Sequence, residues 1–260
     1  MTESSGCSAG SEAGAGRISV VIPAYDAADT LGACLKALRQ QSLPPSSYEI
    51  IVVDDGSSDD TSAIATCCGV RLVVQHNQGP AAARNAGIST AQGAIVLFTD
   101  ADCIPTPTWI DEMTRPFIDS GVVGARGTYL TCQRELVARF VQLEYEDRYD
   151  RMMGQERIDF IDTYSAGYRT DVLRSNGGFD ASFPTASVED QELSYRLADK
   201  GYIMVFAPEA RVYHLHDRTF SEYVIRKFRI GYWKSRLANW YPNRMVRDTH
   251  TPQVLKAQIA

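Results

Sequence analysis

Residues 17–55 read RISVVIPAYDAADTLGACLKALRQQSLPPSSYEIIVVDD, a stretch in which a strand pattern, a helix pattern and a second strand pattern follow one another. The runs ISVVI at 18–22 and IIVV at 50–53 are almost wholly apolar, which is typical of strands that helices cover on both faces. Between them, apolar residues recur at the i, i+3, i+4 and i+7 spacing of an amphipathic helix: Leu31, Cys34, Leu35 and Leu38. This order predicts a parallel sheet with crossover helices.

The alternation continues along the chain. RLVV at 71–74 and AIVLF at 94–98 predict two further strands, and 58–68 has a helix pattern. The patterns that follow are mixed, with a candidate strand at 122–130 and a polar helix-like stretch at 133–153. We therefore predict an α/β fold with a Rossmann-like, mostly parallel central sheet flanked by helices and a less regular second half.

Glycine and proline positions predict where several elements begin and end. Gly69, Gly93 and Gly201 each follow a helix-like segment, where a left-handed glycine is usual. Pro107 falls where a helix would begin, and Pro116 should end or kink that helix.

Composition limits the classes of function. The chain of 260 residues is 44% hydrophobic, and its formal charge of -6 argues against a general nucleic-acid binder, which relies on many contacts from Lys and Arg to phosphate. Residues 1–16 are mostly Ser, Gly and Ala and are expected to form a disordered tail without the features of a signal peptide. With no apolar stretch of about 20 residues and six unpatterned cysteines, we expect a cytoplasmic protein with reduced thiols.

Acidic residues follow the predicted strands. The first strand continues into Pro23-Ala24-Tyr25, the second into Asp54-Asp55-Gly56-Ser57, and the fourth into Thr99-Asp100-Ala101-Asp102. Ligands of open α/β sheets bind at the carboxyl ends of strands, so these residues are candidates for a shared site. Asp100 and Asp102 are equally well read as ordinary turn residues when they are taken alone.

Phosphate-binding glycine motifs are absent from the sequence. Neither G-x-G-x-x-G nor G-x-x-x-x-G-K-[ST] occurs, so a bound phosphate would need another source of positive charge. A hard divalent cation held by carboxylates is the usual alternative, and Asp100 and Asp102 suit that role.

Four segments together resemble family 2 of the inverting glycosyltransferases, which have the GT-A fold. They are ISVVIPAYDAADTLGACLKAL, IIVVDDGSSDDT, GPAAARNAGISTAQGAIVLFTDAD and GGFDASFPTASVEDQELSYRLADKG, in that order along the chain. The resemblance covers roughly residues 17–216. It implies transfer of a sugar from a nucleotide-diphosphate donor, by family frequency a UDP-sugar, with Mg²⁺ or Mn²⁺ bound.

The resemblance also assigns candidate residues to the donor. It implies that the nucleotide base lies between the chain after the first strand and the second Asp of the D-D-G-S motif: Pro23, Ala24, Tyr25 and Asp55. Arg84 matches a base- or phosphate-facing arginine, and its alternative is a surface arginine on a helix. In the D-x-D motif, Asp102 matches the metal ligand, Asp100 a ribose or metal contact, and Ala101 lies between them.

An inverting transfer needs a base for the acceptor hydroxyl, and the resemblance points to Asp190 in VEDQE. We interpret Glu189 and Glu192 as acids favoured by the dipole at a helix N-terminus. His214 and His216 in VYHLH are candidates to complete the metal site, His214 first, although such a pair is more often structural.

One basic, aromatic segment stands out in this acidic chain. Residues 218–247 hold eight Arg and Lys residues with Glu222 as the single acid, interleaved with seven aromatic residues. Three interpretations stay open for this segment: contact with an anionic membrane surface or a phosphate-bearing lipid acceptor, packing of the aromatics on the core, and a dimer interface.

The predicted organisation has three parts. After the tail, residues 17–216 form the glycosyltransferase domain, with a nucleotide-binding half at about 17–103 and an acceptor half at about 104–216, and 217–260 form a helical extension. Ser165-Ala166-Gly167-Tyr168 departs from the family's G-x-N, and the Q-x-x-R-W motif of processive synthases is absent, so we expect one sugar per encounter. The alternative functions are a nucleotide-sugar-binding module without turnover and nucleotidyl transfer to a sugar phosphate.

Overall fold

The structure is a computed structural model that describes residues 17–183 and 188–242. The predicted tail at 1–16 lies outside the described residues, as do Arg244 and Arg247 of the basic segment.

A single mixed sheet forms the centre of the described chain. Its eight strands are β1 (Ile18–Ala24), β2 (Tyr48–Asp54), β3 (Arg71–Val74), β4 (Ile95–Phe98), β5 (Ile104–Pro105), β6 (Val122–Leu130), β7 (Ala166–Arg169) and β8 (Ile203–Tyr213). Their spatial order is β3-β2-β1-β4-β7-β6-β8-β5. The block from β3 to β4 is parallel, β7 pairs antiparallel with both β4 and β6, and β8 runs parallel to β6. The predicted α/β fold with a mostly parallel sheet is confirmed.

Helices cover both faces of the sheet. They are α1 (Ala28–Arg39), α2 (Thr61–Cys67), α3 (Pro80–Thr90), α4 (Trp109–Thr114), α5 (Leu136–Met152), α6 (Thr170–Ser175), α7 (Glu189–Asp199) and α8 (Phe220–Trp240). Single 3₁₀ turns lie at Pro45–Ser47, Arg115–Ile118 and Thr163–Ser165.

The alternation of side chains along β1 divides the core into two layers. Val20 and Ile22 belong to one buried cluster with Leu35 of α1, whereas Val21 belongs to a second cluster with Ile88 of α3. Successive side chains of a strand point to opposite faces, so a strand buried on both faces must be apolar at every position that packs. This explains why β1 reads as a nearly continuous apolar run.

Two of the three glycine predictions are confirmed. Gly69 and Gly201 have φ of 59° and 82°, the left-handed values predicted after a helix. The prediction for Gly93 is wrong, because Gly93 is not among the described residues with positive φ. Instead, a Cβ at Gly93 would lie 2.3 Å from the carbonyl oxygen of Arg17, so glycine is needed there for close approach of β1.

The less regular half also follows its sequence pattern. The strand predicted at 122–130 is β6, and the polar helix predicted at 133–153 is α5. α4 begins at Trp109, so the prediction that Pro107 opens the helix is wrong because Pro107 lies in the turn before it, and α4 ends at Thr114, two residues before Pro116. Pro116 therefore ends the helix as predicted.

Candidate active site

Asp55 lies buried where β2 ends, beside the end of β1. Its backbone N–H donates to the carbonyl of Ala24 at 2.8 Å. Its carboxylate accepts hydrogen bonds from Gln75 Nε2 at 2.7 Å and from the backbone N–H groups of Gln78 at 3.0 Å and Gly79 at 2.8 Å. These bonds tie the ends of β1 and β2 to the start of α3.

A cavity of about 610 Å³ opens at these strand ends. It contains every residue that the sequence assigned to the donor: Pro23, Ala24, Tyr25, Asp55, Arg84, Asp100, Ala101 and Asp102. Asn77, Gly79 and Thr30 also line it. We call it the donor-side cavity. The exits of β1, β2 and β4 thus meet at one edge of the sheet, as the parallel topology requires.

Arg84 forms one wall of the donor-side cavity. It is only 4% exposed, so the alternative of a surface arginine is wrong. Its guanidinium donates to Glu189 Oε1 at 2.9 Å and to Asp100 Oδ1 at 3.2 Å, and it lies 5.7 Å from the ring centroid of Phe179. Burial opposes its charge, but the carboxylates of Asp100, Glu189 and Asp190 raise its pKa above the ordinary value. Arg84 therefore stays a cation between three acids.

The two acids of the D-x-D motif have different environments. Burial raises the pKa of Asp100, and the nearby charge of Asp102 raises it further, while Arg84 opposes the rise. Burial also opposes ionisation of Asp102, but the hydrogen bond and charge of His214, whose Nε2 is 3.3 Å from Asp102 Oδ2, lower its pKa below the ordinary value. Asp102 is therefore the more readily ionised of the two.

A chain of hydrogen bonds fixes the orientation of His214. Gln142 donates from Nε2 to the carbonyl of Tyr129 at 3.1 Å and to Glu146 at 3.0 Å, so its Oε1 faces His216 Nε2 at 2.8 Å and accepts from it. The Nδ1 of His216 then accepts from Nδ1 of His214, 3.4 Å away. Burial and neighbouring positive charge lower the pKa of His216 to about 4, which keeps that ring neutral at pH 7.

This chain leaves the Nε2 of His214 as the atom that faces Asp102. With an imidazole nitrogen and a carboxylate oxygen 3.3 Å apart, Nε2 either donates its proton to Asp102 or gives that proton up and binds a cation together with Asp102. Ligand atoms of Asp100, Asp102 and Cys103 also lie within 4.8 Å of one another. Burial raises the pKa of the Cys103 thiol well above its ordinary value, so Cys103 stays protonated and is a poor ligand. The two carboxylates suit Mg²⁺ or Mn²⁺, and the nitrogen of His214 suits Mn²⁺ better than Mg²⁺.

A second cavity, of about 380 Å³, shares Arg84 and Asp100 with the first. Its remaining walls come from elements far apart in the chain: Tyr129, Tyr145, Asp162, Thr163, Tyr164, Glu189, Asp190, Arg226, Arg229 and Ile230. We call it the acceptor-side cavity. Its floor is aromatic, since the rings of Tyr129 and Tyr164 stack on one another.

Asp190 lies in the first turn of α7 and lines the acceptor-side cavity. Burial raises its pKa well above that of an ordinary aspartate, and the charges of Glu189 and Asp162 add to the rise while Arg84 opposes it. Its Oδ1 accepts a hydrogen bond from the backbone N–H of Gln191 at 2.7 Å. An aspartate with a raised pKa that faces a cavity has the properties expected of a general base.

The sequence of residues 19–177 matches the model of the family described as Glycosyl transferase family 2. The chain belongs to glycosyltransferase family 2. It is 30% identical over 246 residues to Glycosyltransferase AglE of Haloferax volcanii, an alignment that covers 88% of this chain and 75% of that protein. It is 27% identical over 237 residues to the pre-mycofactocin glycosyltransferase of Mycobacterium tuberculosis, covering 87% of this chain and 48% of that protein.

Solved structures show the same fold. The mannosyltransferase PcManGT from Pyrobaculum calidifontis, in complex with GDP-Man and Mn²⁺, superposes with a TM-score of 0.63 at 21% identity, covering 82% of this chain and 61% of that one. S. aureus TarS 1-349 in complex with UDP superposes with a TM-score of 0.59 at 20% identity, covering 94% and 69%. These neighbours establish that this family 2 glycosyltransferase has the GT-A fold.

The glycosyltransferase has no helix, among the residues that the structure describes, with the length and apolar character needed to cross a membrane.

Sequence reasoning missed several residues of the acceptor side of this glycosyltransferase. Glu189 was interpreted as a helix-dipole acid, yet it is buried and pairs with Arg84. Arg126 of β6 is fully buried, forms an ion pair with Asp162 and lies 5.1 Å from the ring of Phe160. A charged residue inside the apolar run VVGARGTYL was the available signal, because arginine is rarely buried unless it is paired.

Proposed function

We propose that this glycosyltransferase is a metal-dependent, inverting enzyme that transfers one sugar per encounter from a nucleotide-diphosphate sugar, by family frequency a UDP-sugar, to an acceptor hydroxyl. One observation carries the proposal. The donor-side and acceptor-side cavities meet at Arg84 and Asp100, with Asp190 on the acceptor side of that wall. The donor and the acceptor would therefore meet beside charged side chains that are already fixed in position.

The donor nucleotide would lie over the ends of β1 and β2. Tyr25 is 53% exposed at the rim of the donor-side cavity and can cover a base, while Asp55 is held rigidly by three hydrogen bonds and can accept from its N–H groups. Pro23, Ala24 and Ala101 would provide the apolar and backbone walls. Structural neighbours have been solved in complex with GDP-Man, UDP and UDP-GlcNAc, which supports a nucleotide-sugar donor without choosing among these.

Asp102, Asp100 and His214 would hold the divalent cation. Asp102 is the best ligand of the three, since it is the acid that ionises more readily. One oxygen of Asp100 would stay hydrogen-bonded to Arg84, and the carboxylate would also contact the metal or a ribose hydroxyl. The bound Mg²⁺ or Mn²⁺ would supply charge stabilisation for the departing diphosphate. Arg84 can add to that stabilisation because it remains a cation in the shared wall.

Asp190 would act as the general base. In the transfer, its carboxylate takes the proton of the acceptor hydroxyl, and the acceptor oxygen forms a bond to the anomeric carbon from the face opposite the diphosphate. The bond between that carbon and the diphosphate oxygen breaks, and the nucleoside diphosphate leaves with the electron pair. The raised pKa of Asp190 strengthens it as a base for a weakly acidic hydroxyl.

The test is turnover with a panel of nucleotide sugars in the presence of Mn²⁺, Mg²⁺ or a chelator, measured as nucleoside diphosphate release with water and with candidate acceptors. We expect Asp190→Asn to lower transfer at least about a hundredfold while donor binding persists, since general-base catalysis contributes about 10²–10⁴-fold. Asp150→Asn, on the exposed side of α5, is the matched control and should retain full activity.

Each competing outcome is distinct. Donor binding without release of nucleoside diphosphate under any condition would favour the binding module. Release of pyrophosphate from a nucleoside triphosphate and a sugar phosphate would favour nucleotidyl transfer. An Asp190→Asn enzyme with the wild-type rate would remove Asp190 as the base.

We also propose that residues 17–216 form one domain with an extension at 217–260, that the enzyme is cytoplasmic and that it forms a homodimer. The membrane contact predicted for residues 218–247 would be made by the exposed side of α8.

A further inference from the structure

Residues 220–232 of helix α8 present large apolar side chains to solvent and the charged Arg226 and Lys227 to the protein. Its exposed side carries Phe220, Val224, Ile225, Phe228 and Tyr232. Its inner side is held by ion pairs, since Arg226 Nε lies 2.6 Å from Asp217 and Lys227 Nζ lies 2.9 Å from Glu144. An ordinary surface helix has the opposite arrangement, so the exposed side of α8 is built to meet something other than water.

The neighbouring helix α5 extends this apolar surface. It exposes Leu136, Phe140 and Leu143, one or two turns apart on one side of the helix. The ring of Phe140 lies 5.8 Å from that of Tyr223, which in turn stacks on Phe220 at 6.3 Å. These three residues and the five on α8 therefore form one continuous surface, which we call the apolar ridge.

The segment that contains α8 is basic in sequence, although its Arg226 and Lys227 are paired with Asp217 and Glu144. From residue 218 to residue 242 the sequence has six basic residues and one acid, in a chain whose formal charge is -6. The single acid, Glu222, is occupied by the capping box of α8, in which its side chain accepts from the backbone N–H of Thr219 at 3.1 Å. Arg229 and Arg139 are exposed beside the ridge.

We propose that the apolar ridge docks this glycosyltransferase on an anionic lipid surface, with α8 lying in the plane of the headgroups. Large apolar side chains on one side of a helix and basic residues beside them are the two features that bind a helix to such a surface. Positive charge next to the ridge favours anionic lipid over an apolar protein partner or a second copy of this chain, whose ridge would carry the same charge.

Docking through the ridge has a consequence for the acceptor. The same helix contributes Arg226, Arg229 and Ile230 to the acceptor-side cavity, with the exposed Arg229 at the border between the cavity and the ridge. That cavity would lie about one helix diameter, about 10–12 Å, from the lipid surface. This consequence rests on the proposed function, whereas docking itself can be measured without donor, metal or turnover.

The test is flotation of the full chain with vesicles of phosphatidylcholine alone and of an equal mixture with phosphatidylglycerol. We expect the protein to float with the mixed vesicles at low salt and to bind at least about tenfold less to the neutral ones. Binding should also fall in about 1 M NaCl, where the Debye length is about 3 Å. No flotation with anionic vesicles at low salt, or equal binding to both compositions, would overturn the proposal.

Two variants and a matched control locate the docking surface. Phe228→Glu on α8 and Leu136→Glu on α5 replace side chains that are 76% and 85% exposed, and each should lower binding about tenfold or more while nucleotide binding and the thermal midpoint stay unchanged. Ile118→Glu makes the same change at a residue that is 86% exposed and outside the ridge, and it should bind as the wild type does. If all three variants float as the wild type does, or if Phe228→Glu only converts a dimer to a monomer in sedimentation velocity, the ridge is not a lipid surface.

Discussion

Arg84 illustrates how much one side chain decides at this site. It donates to Glu189 and Asp100, lies close enough to Asp190 to feel its charge, and is almost fully buried. An unpaired buried cation is very costly, and so is an unpaired buried carboxylate, so these four residues stabilise one another. Because Arg84 donates to both, it holds Asp100 of the donor-side cavity and Glu189 of the acceptor-side cavity at a fixed separation.

The pH dependence of transfer should report Asp190. At saturating Mn²⁺, kcat/KM should fall as pH drops through the pKa of Asp190. One group is protonated in this range, and only its carboxylate form can accept the proton of the acceptor. Burial, Glu189 and Asp162 raise that pKa, so the acid limb should lie above the roughly 3.9 of an ordinary aspartate. Asp162→Asn removes one raising charge and should move the limb to lower pH.

The control for this profile is the residual rate of Asp190→Asn, which should lack the acid limb. A limb that persists in this variant with the same midpoint would mean that another group titrates.

The hydrogen-bonded chain behind His214 predicts an effect on metal binding. His216→Ala or Gln142→Leu breaks the hydrogen bonds that orient the His214 ring, and we expect Mn²⁺ affinity to fall about 10–100-fold, as is usual for residues that orient a ligand. Titration calorimetry in the absence of donor measures this directly. Gln155→Leu, at an exposed glutamine after α5, is the control, and unchanged affinity in the two test variants would mean that this chain does not orient a metal ligand.

The sequence could predict that these acids share one site because they lie near strand ends. Asp55, Asp100 and Asp102 each lie a few residues beyond an apolar run, and the parallel topology then brings them to one edge. The role of Glu189 could not be read in this way, because its partner Arg84 is 105 residues earlier in the chain.

Among elements, the contact between β1 and the loop before β4 depends on Gly93. Gly93→Ala would place a Cβ 2.3 Å from Arg17 O and 2.6 Å from Ser19 N, and backbone atoms cannot move aside as a side chain can. We expect a loss of about 1–3 kcal/mol in the free energy of unfolding, toward the upper end, measured by urea denaturation.

Gly32→Ala in α1 is the matched control. Its Cβ would have nothing within 4 Å, and alanine in a helix interior should increase the stability by about 0.5–1 kcal/mol. Equal effects of the two substitutions would contradict the need for close approach at Gly93.

The elements that sequence predicted are those with a strong local pattern. The strands β1 to β4 and β6 and the helices α1 and α5 fall within a few residues of their predicted bounds. The short strand β7 has no such pattern, because AGYR is held between β4 and β6 by antiparallel pairing with residues about 40 to 70 positions away. Pairing of this kind depends on the whole sheet rather than on local propensity.

For the whole molecule, a donor and metal that bind only the folded state should raise its thermal stability. At a concentration about 100 times Kd the gain is about 2.7 kcal/mol, or about 5–10 °C in Tm for a chain of this size. Nucleoside diphosphate with Mn²⁺ should give this shift, and a chelator should remove most of it.

Asp102→Asn should abolish the metal-dependent part of the shift in Tm, because it removes the proposed ligand that ionises most readily. Asp150→Asn should shift as the wild type does. A shift in the wild type that is insensitive to chelator would contradict the proposed metal dependence.

The acceptor-side cavity is a property of the whole molecule and could not be predicted from local patterns. Its walls come from α3, the segment after β4, β6, α5, the turn before β7, α7 and α8, so residues from Arg84 to Ile230 contribute. No pattern of residue spacing in the sequence predicts that these side chains meet. The basic segment was visible in the sequence, but its position beside Asp190 was not.

Under the proposed function, the wall that the two cavities share favours one order of substrate binding. If a cation draws Asp100 toward the donor, Arg84 is left with more of its positive charge for Glu189 and Asp190, and the environment of the base changes before an acceptor arrives. Kinetically, this favours a sequential mechanism in which the nucleotide sugar enters first and primes the enzyme. The extent of donor hydrolysis would then depend on how quickly an acceptor binds the enzyme–donor complex.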